Sequence, residues 1–297
     1  MTLQELLAQA TARLAAAPLA YGHGTEAPHD EAAWLLLWQL GLPLDSDLDA
    51  LAGQAVPDEQ VRAVNDLIAR RIITRQPAAY LTREAWLQGV PFFVDERAIV
   101  PRSFIAELIA DGDFDAWLSD HTRQVLDLCT GNGSLAVLAA MAWPDITVTG
   151  ADISPDALAV ARINVDKHRL QDRIELIESD GLQHCPGPYQ LILCNPPYVN
   201  AASMSTLPPE YQAEPALALA GGADGMDFVR RLLRDAPSRL SPDGVLVLEI
   251  GHERAHFEAA FPQLEVVWLA TSAGHDQVLL LTAESLSVQQ APNASTP

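Results

Sequence analysis

From Arg123 to Leu281 the chain alternates short apolar runs with segments of helical spacing, and few architectures accept that pattern. The predicted strands are Gln124 to Cys129, Thr147 to Ala151, Ile174 to Glu178 and Gln190 to Cys194, then Val245 to Ile250, Val266 to Ala270 and Gln277 to Leu281. Helical segments fall between them, at Ser134 to Ala142, Pro155 to His168 and Asp224 to Leu240. Strands this apolar must be covered on both faces, so the expectation is an α/β fold: a seven-stranded, mostly parallel sheet with helices on either side.

The first hundred residues follow another pattern. Leu3, Leu6, Leu7, Ala10 and Leu14 recur at helical spacing, as do Val61, Val64, Leu67 and Ile68, with the Trp- and Leu-rich run Glu31 to Leu40 between them. Glu84 to Val94 and Ala98 to Val100 read as two strands joined at Asp95-Glu96-Arg97, and Ser103 as the N-cap of a helix through Trp117. The expected division is a helical N-terminal domain over 1–82, a β-hairpin connector over 83–102, a catalytic domain over 103–284 and a disordered tail over 285–297.

Composition narrows the partners. With 18 basic against 39 acidic residues the formal charge is −21, which disfavours sequence-blind binding to duplex nucleic acid and favours a basic protein. No run approaches the roughly 20 apolar residues that span a bilayer, so no membrane association is expected. The N-terminus reads as an amphipathic helix and not as a signal peptide. Three cysteines without metal-like spacing suit a reducing cytoplasm, and His252 and His256, though four apart, lack a third ligand, so no metal is expected.

Val125-Leu-Asp-Leu-Cys-Thr-Gly-Asn-Gly-Ser134 runs from a strand through a tight turn into a helix, and such a loop at a strand's carboxyl end is the usual ligand crevice of an open parallel sheet. Asp152 follows the second strand, where an acid can bind the two hydroxyls of a ribose. Cys129 stands where a dinucleotide fingerprint needs its first glycine, so the loop fits a nucleoside with an amino-acid tail better than a pyrophosphate, and a nicotinamide dehydrogenase is the weakest reading. Asp180, after the third strand, is placed to contact an adenine; on spacing alone it is equally a solvated turn residue.

The most specific segment is Leu191-Ile-Leu-Cys-Asn-Pro-Pro-Tyr-Val199. Two prolines after a buried strand remove two backbone donors and leave carbonyls seeking partners. Asn195 adds a side-chain acceptor and Tyr198 a flat face with a polar tip. A planar NH2 group, with two hydrogens to donate and a face to stack, matches that arrangement.

Glycine loop, acid after strand two and Asn195-Pro196-Pro197-Tyr198 after strand four together resemble the class I S-adenosylmethionine-dependent methyltransferases that act on NH2 nitrogens. Within these the chain is similar, over almost its whole length, to the protein-(glutamine-N5) methyltransferases of the HemK and PrmB type. The helical N-domain, the Val100-Pro-Arg-Ser103 connector and Leu207-Pro-Pro-Glu-Tyr-Gln-Ala-Glu-Pro-Ala-Leu-Ala-Leu-Ala-Gly-Gly-Ala-Asp-Gly225 carry that similarity. Glu84-Ala-Trp-Leu-Gln-Gly89, Val94 to Ser103 and Leu128-Cys-Thr-Gly-Asn-Gly133 look like the branch that modifies the third protein of the large ribosomal subunit rather than peptide chain release factors.

The resemblance implies S-adenosylmethionine, leaving as S-adenosylhomocysteine, held by Asp127, Thr130, Gly131, Asn132, Gly133, Asp152, Ile153, Asp180 and Asn195. It implies a glutamine amide bound at Asn195, Pro196, Pro197 and Tyr198, with Asn195, Pro196 and Tyr198 catalytic. Arg102 is expected either to touch the substrate or to organise the domain junction, and Glu210 and Glu214 to form a solvated acidic face. The implied partner is a basic ribosomal protein, free or in an assembly intermediate. The competing functions are release-factor methylation, N6-adenine DNA methylation and an inactive ribosome-assembly factor. Gly181 stands where some relatives place an aromatic beside the adenine, so adenine packing must come from elsewhere.

Overall fold

Thr2 opens the first helix: its hydroxyl accepts from the Glu5 amide while Glu5 reaches back to the Thr2 amide, a reciprocal cap that satisfies two orphan donors. In the structure, a computed structural model that describes residues 1–288, this helix, α1 (Leu3–Ala15), buries Leu3, Leu6, Leu7, Ala10 and Leu14. It packs on α2 (Pro28–Leu40), α3 (Leu48–Leu51), α4 (Asp58–Thr74) and α5 (Ala78–Thr82), around a core that includes Leu35, Leu36, Val64 and Ile68. A two-stranded hairpin follows, β1 (Ala85–Leu87) and β2 (Val90–Phe92), then α6 (Ile105–Asp111).

The remainder alternates: β3 (Gln124–Leu128), α7 (Ser134–Ala142), β4 (Thr147–Asp152), α8 (Pro155–Lys167), β5 (Ile174–Glu178) and β6 (Tyr189–Cys194). Short helices α9 (Ala201–Met204) and α10 (Pro209–Gln212) lead to α11 (Asp227–Asp235), β7 (Leu240–Glu249), α12 (Arg254–Ala260), β8 (Val267–Thr271), β9 (Gly274–Thr282) and α13 (Ala283–Val288). The seven-stranded sheet has the order β5-β4-β3-β6-β7-β9-β8. The strands from β5 to β7 pair in parallel, and β9 runs antiparallel to both its neighbours. Side chains alternate across it. Val125, Leu191, Leu193 and Val247 face α6 and α7, whereas Leu126, Ile192, Leu246 and Leu248 face α11 and α13. Strand order reverses at β3 and β6, and a crevice opens beyond their carboxyl ends.

Five local expectations change. The hairpin turns at Gln88-Gly89, both left-handed (φ +50° and +72°), and not at Asp95-Glu96-Arg97, because a two-residue turn of this hand matches the twist of paired strands. Ala98 to Val100 is not a strand. The connector helix starts at Ile105, with Phe104 at the N-cap and Ser103 beside it, and ends at Gly112, which takes the left-handed conformation. The helix expected from Asp224 to Leu240 is confined to Asp227–Asp235, since Pro237 lacks the amide to extend it. Finally, Ala283 to Val288 is helical, with Leu286 fully buried, where disorder was expected from 285; the rest of that expected tail lies outside the described residues.

Candidate functional site

The crevice is a cavity of about 880 Å³ whose floor is the carboxyl edge of β3, β4, β6 and β7. Asp127 lies beneath it. Only 1% exposed, it accepts the Thr130 hydroxyl (2.5 Å) and the Ala136 amide (2.9 Å), and so ties the glycine turn to the start of α7 without lining the cavity. Burial holds its carboxyl up at about 7 against those two hydrogen bonds. A raised acid contributes stability that is present below its unfolded value and lost as pH climbs through its folded one. Thermal stability in ligand-free protein should therefore decline between pH ~4 and ~7, and Asp127→Asn should flatten part of that decline; calorimetry across the range checks it.

Asp152 ends β4 inside the cavity. Its two oxygens accept one backbone amide each, from Gly131 and Ser154, both at 2.9 Å, which leaves an acceptor site on each oxygen for a neighbouring pair of hydroxyls. Burial raises its pKa against those amides. Thr130, Gly131 and Asn132 line the cavity, whereas Gly133 does not: it caps α7 and lies against Ala161 of α8. Asn132 is 2% exposed, and its Nδ2 is buried with no hydrogen-bond partner, although Oδ1 accepts from Ser134. Such an orphaned donor beside a cavity fits an acceptor on a bound small molecule. Ile153, 46% exposed, also lines the wall. Asp180 is engaged by Arg231 of α11 at 3.0 Å, and the wall beside Gly181 comes from Phe228, with Arg231 over its ring. Phe228 went unnoticed in the sequence because it reaches the site from a helix 47 residues beyond Gly181, with no motif around it.

Asn195 lies just past the end of β6, half-buried and lining the cavity. Among the described residues none hydrogen-bonds its side chain, and none donates to the carbonyls of Asn195, Pro196 or Pro197. The Tyr198 ring rests on Gly251, where a Cβ would stand 2.5 Å from a ring carbon. The glycine-rich stretch after Leu219 explains itself at this point: Val199 pairs with Leu219 and Gly221 through the backbone, and a Cβ at Gly225 would come within 2.2 Å of the Tyr198 carbonyl. Gly225 also has φ +79°. Gly225→Ala should therefore cost about 1–3 kcal/mol through overpacking and displace the turn, so that kcat falls more than Tm does; turnover beside a melting curve separates the two.

Three acids at this junction belong to a layer the sequence did not reveal. Glu249, 2% exposed at the end of β7, accepts Ser103 Oγ (2.6 Å) and the Phe104 amide (2.9 Å) on one oxygen and the Tyr198 hydroxyl (3.4 Å) on the other. An acid closing the apolar run Val245 to Leu248 was its only sequence signal. Glu210 and Glu214 are not a solvated face: both are buried. Glu214 chelates Arg102 with two 2.7 Å bonds, accepts the Val100 amide and lies 3.4 Å from His23 of the helical domain. Arg102 thus organises the junction, its guanidinium also over Tyr211. Glu210 receives Arg71, Arg75 and the Ala20 amide. Burial would raise both carboxyls, but in each case the arginines and other donors prevail and hold it down at about 2. This pair stabilises above the ordinary carboxylate range, and its contribution is lost as pH falls toward ~2.

Cys129 (φ +61°) follows β3 and Cys194 ends the adjacent β6; the hydrogen bond between them and burial push the Cys129 thiol well up. Among the described residues no group of three or more His, Cys, Asp or Glu could hold a metal ion, and no helix is long and apolar enough to cross a membrane.

Residues 5–82 match the PrmC N-terminal domain family and residues 114–207 the methyltransferase small domain family. The chain is 54% identical over 289 residues to the ribosomal protein uL3 glutamine methyltransferase of Bordetella pertussis, covering 96% of each. It is 51% identical to the enzyme of the same name from Burkholderia pseudomallei, covering 96% of this chain and 95% of that one. Among solved structures, the hMettl16 catalytic domain in complex with a MAT2A 3'UTR hairpin superposes with a TM-score of 0.51 at 13% identity, over 83% of this chain and 88% of that one, which shows the shared fold.

Proposed function

The chain belongs to the ribosomal protein uL3 glutamine methyltransferases, and on that premise we propose that its cavity brings S-adenosylmethionine beside a glutamine side chain of uL3 and directs the methyl group to the amide nitrogen. The observation that carries this reading is that Asn195, Pro196 and Pro197, whose carbonyls receive no hydrogen bond among the described residues, all line one cavity. When bound, S-adenosylmethionine supplies an electrophilic methyl on its sulfonium.

Asp152 takes the ribose diol on its two free acceptor sites. Asn132 Nδ2 and the turn at Gly131 serve the amino-acid end, and Ile153 and Phe228 give the adenine its apolar walls in place of an aromatic at 181. Asp180 stays with Arg231 and bounds the adenine end.

An amide nitrogen is a poor nucleophile because its lone pair is delocalised into the carbonyl. Asn195 Oδ1 and the Pro196 carbonyl each accept one hydrogen of the NH2 group, which raises electron density on nitrogen and fixes its direction. Tyr198 covers the amide plane and keeps water out. Positioning of this kind lowers a barrier by up to about 7–11 kcal/mol, and aligned acceptors supply further stabilisation as charge develops.

The net charge of −21 favours a basic ribosomal protein over nucleic acid, and a ribosomal-protein substrate fits a cytoplasmic enzyme. Incubation with labelled S-adenosylmethionine should transfer label to uL3 and leave a release factor unlabelled. Label on the release factor alone would move the chain to the other branch.

A further inference from the structure

Methylation leaves the glutamine nitrogen with one hydrogen fewer than it brought, and the departing proton needs an acceptor. We propose that Glu249 receives that proton through the Tyr198 hydroxyl. The inference rests on the reading above, that the amide is held at Asn195 to Tyr198.

The geometry carries it. Cys194 pairs with Leu248 in the parallel register of β6 and β7, so Glu249 stands level with Asn195. Its two oxygens are used differently. Oε2 is filled by Ser103 and the Phe104 amide and anchors the connector, whereas Oε1 accepts the Tyr198 hydroxyl, at 3.4 Å. A carboxylate needed only as a tether would have no reason to turn its second oxygen, in a nearly dry site, toward the tyrosine of the reacting turn.

The charged and titratable groups around it are few. From the connector come Ser103 and Arg102, the latter neutralised by Glu214; from the turn comes Tyr198; from α6 come only backbone amides. Burial, against the Ser103 and backbone hydrogen bonds, places the carboxyl at about 7, so both its forms are populated near neutrality. Of the other acids lining the cavity, Asp152 is held by the glycine turn, Asp180 by Arg231, Glu107 by Ser272 and Asp227 by Arg230, while Glu26 is exposed on the loop before α2. His252, exposed at the rim, is the alternative acceptor.

The step balances as follows. The nitrogen–methyl bond forms as the methyl–sulfur bond breaks, and sulfur keeps the electron pair. The nitrogen–hydrogen bond then breaks, its electrons returning to the amide. With the methyl in place the nitrogen turns one hydrogen from its carbonyl acceptor toward Tyr198 Oη, and that proton passes to the hydroxyl oxygen as the hydroxyl proton passes to Glu249 Oε1, so tyrosine stays neutral throughout. Reversal of the relay to water after product release restores the carboxylate.

The test is the pH profile of kcat on uL3 for the wild type and four variants. Wild-type kcat should rise through pH ~7 and level off, because the acceptor must be ionised. Glu249→Gln keeps an acceptor for the Phe104 amide, so the tether survives; it should lose the rising limb and about 10²-fold in kcat, with S-adenosylmethionine affinity unchanged. Tyr198→Phe should lose the same limb. Ser103→Ala removes a donor to the carboxylate and should move the limb to higher pH, and His252→Asn should leave it in place. A Glu249→Gln or Tyr198→Phe enzyme that keeps the wild-type limb, a limb unmoved by Ser103→Ala, or one abolished by His252→Asn would each overturn the relay. Absence of methyl transfer by the wild type itself would instead overturn the function.

Discussion

Replacement of Asn195 by alanine should lower kcat by about 10²–10³-fold, the size of effect seen when one preorganised partner of a reacting group is removed, while the affinity for S-adenosylmethionine should stay close to that of the wild type. The reason is the division of labour in the cavity. Asp152, Asn132 and the glycine turn are the groups proposed for the cofactor, and Asn195, whose side chain has no hydrogen bond among the described residues, lines the same cavity. Its Oδ1 contributes mainly when the glutamine nitrogen begins to share its lone pair, so the loss falls on the chemical step rather than on ground-state binding. Asn195→Asp is the informative companion. It keeps the acceptor but adds charge and removes the amide's donor, so partial activity is expected. Calorimetric titration of the cofactor beside single-turnover methyl transfer reads the two effects apart. Unchanged turnover in Asn195→Ala would remove the residue from the mechanism.

Arg71→Met should destabilise the protein by about 3–5 kcal/mol, the usual result of breaking a buried ion pair by deleting one partner. Arg71 is 1% exposed and bridges Glu31 (2.7 Å) to Glu210 (3.2 Å), with a further bond to the Ala20 carbonyl. Methionine fills the space but leaves Glu31 without its cation. Burial already raises the Glu31 carboxyl against the pull of Arg71, and removing Arg71 raises it further. A raised acid stabilises below its unfolded pKa and loses that contribution as pH climbs, so the variant's deficit should be larger at pH 8 than at pH 5. Glu210 retains Arg75, which confines the damage to the helical domain and its contact with the Pro208–Ala213 segment. Melting curves at the two pH values check magnitude and sign together. A deficit that is small, or that grows on acidification, would show that the cluster does not hold the junction.

Short apolar runs made the sheet legible: each of the seven strands falls within a few residues of its expected place, and the central ones are buried on both faces. The hairpin turn was misplaced because Gly89 was read as part of a strand, although a glycine inside a strand pattern is the signal for a tight turn. The turn of Asn195 to Tyr198 and the acid at 152 could be read locally, since prolines and strand ends declare their own geometry. What could not be read is the layer that holds them. Glu210 meets Arg75 across 135 residues and Ala20 across 190, and Glu214 meets Arg102 across 112. Read in a local window such glutamates look solvated, because their partners come from the helical domain and the connector. Asp127 is a milder case: expected at the cofactor, it lies one layer below and shapes the loop that reaches it.

The most direct measurement is tandem mass spectrometry of uL3 after incubation with the enzyme and S-adenosylmethionine, using uL3 from cells that lack the activity. A single added methyl on the side-chain nitrogen of one glutamine, absent when Asn195→Ala replaces the wild type, is the predicted result. Methyl on lysine, on a backbone nitrogen or on the accompanying RNA, with every glutamine unmodified, would contradict it.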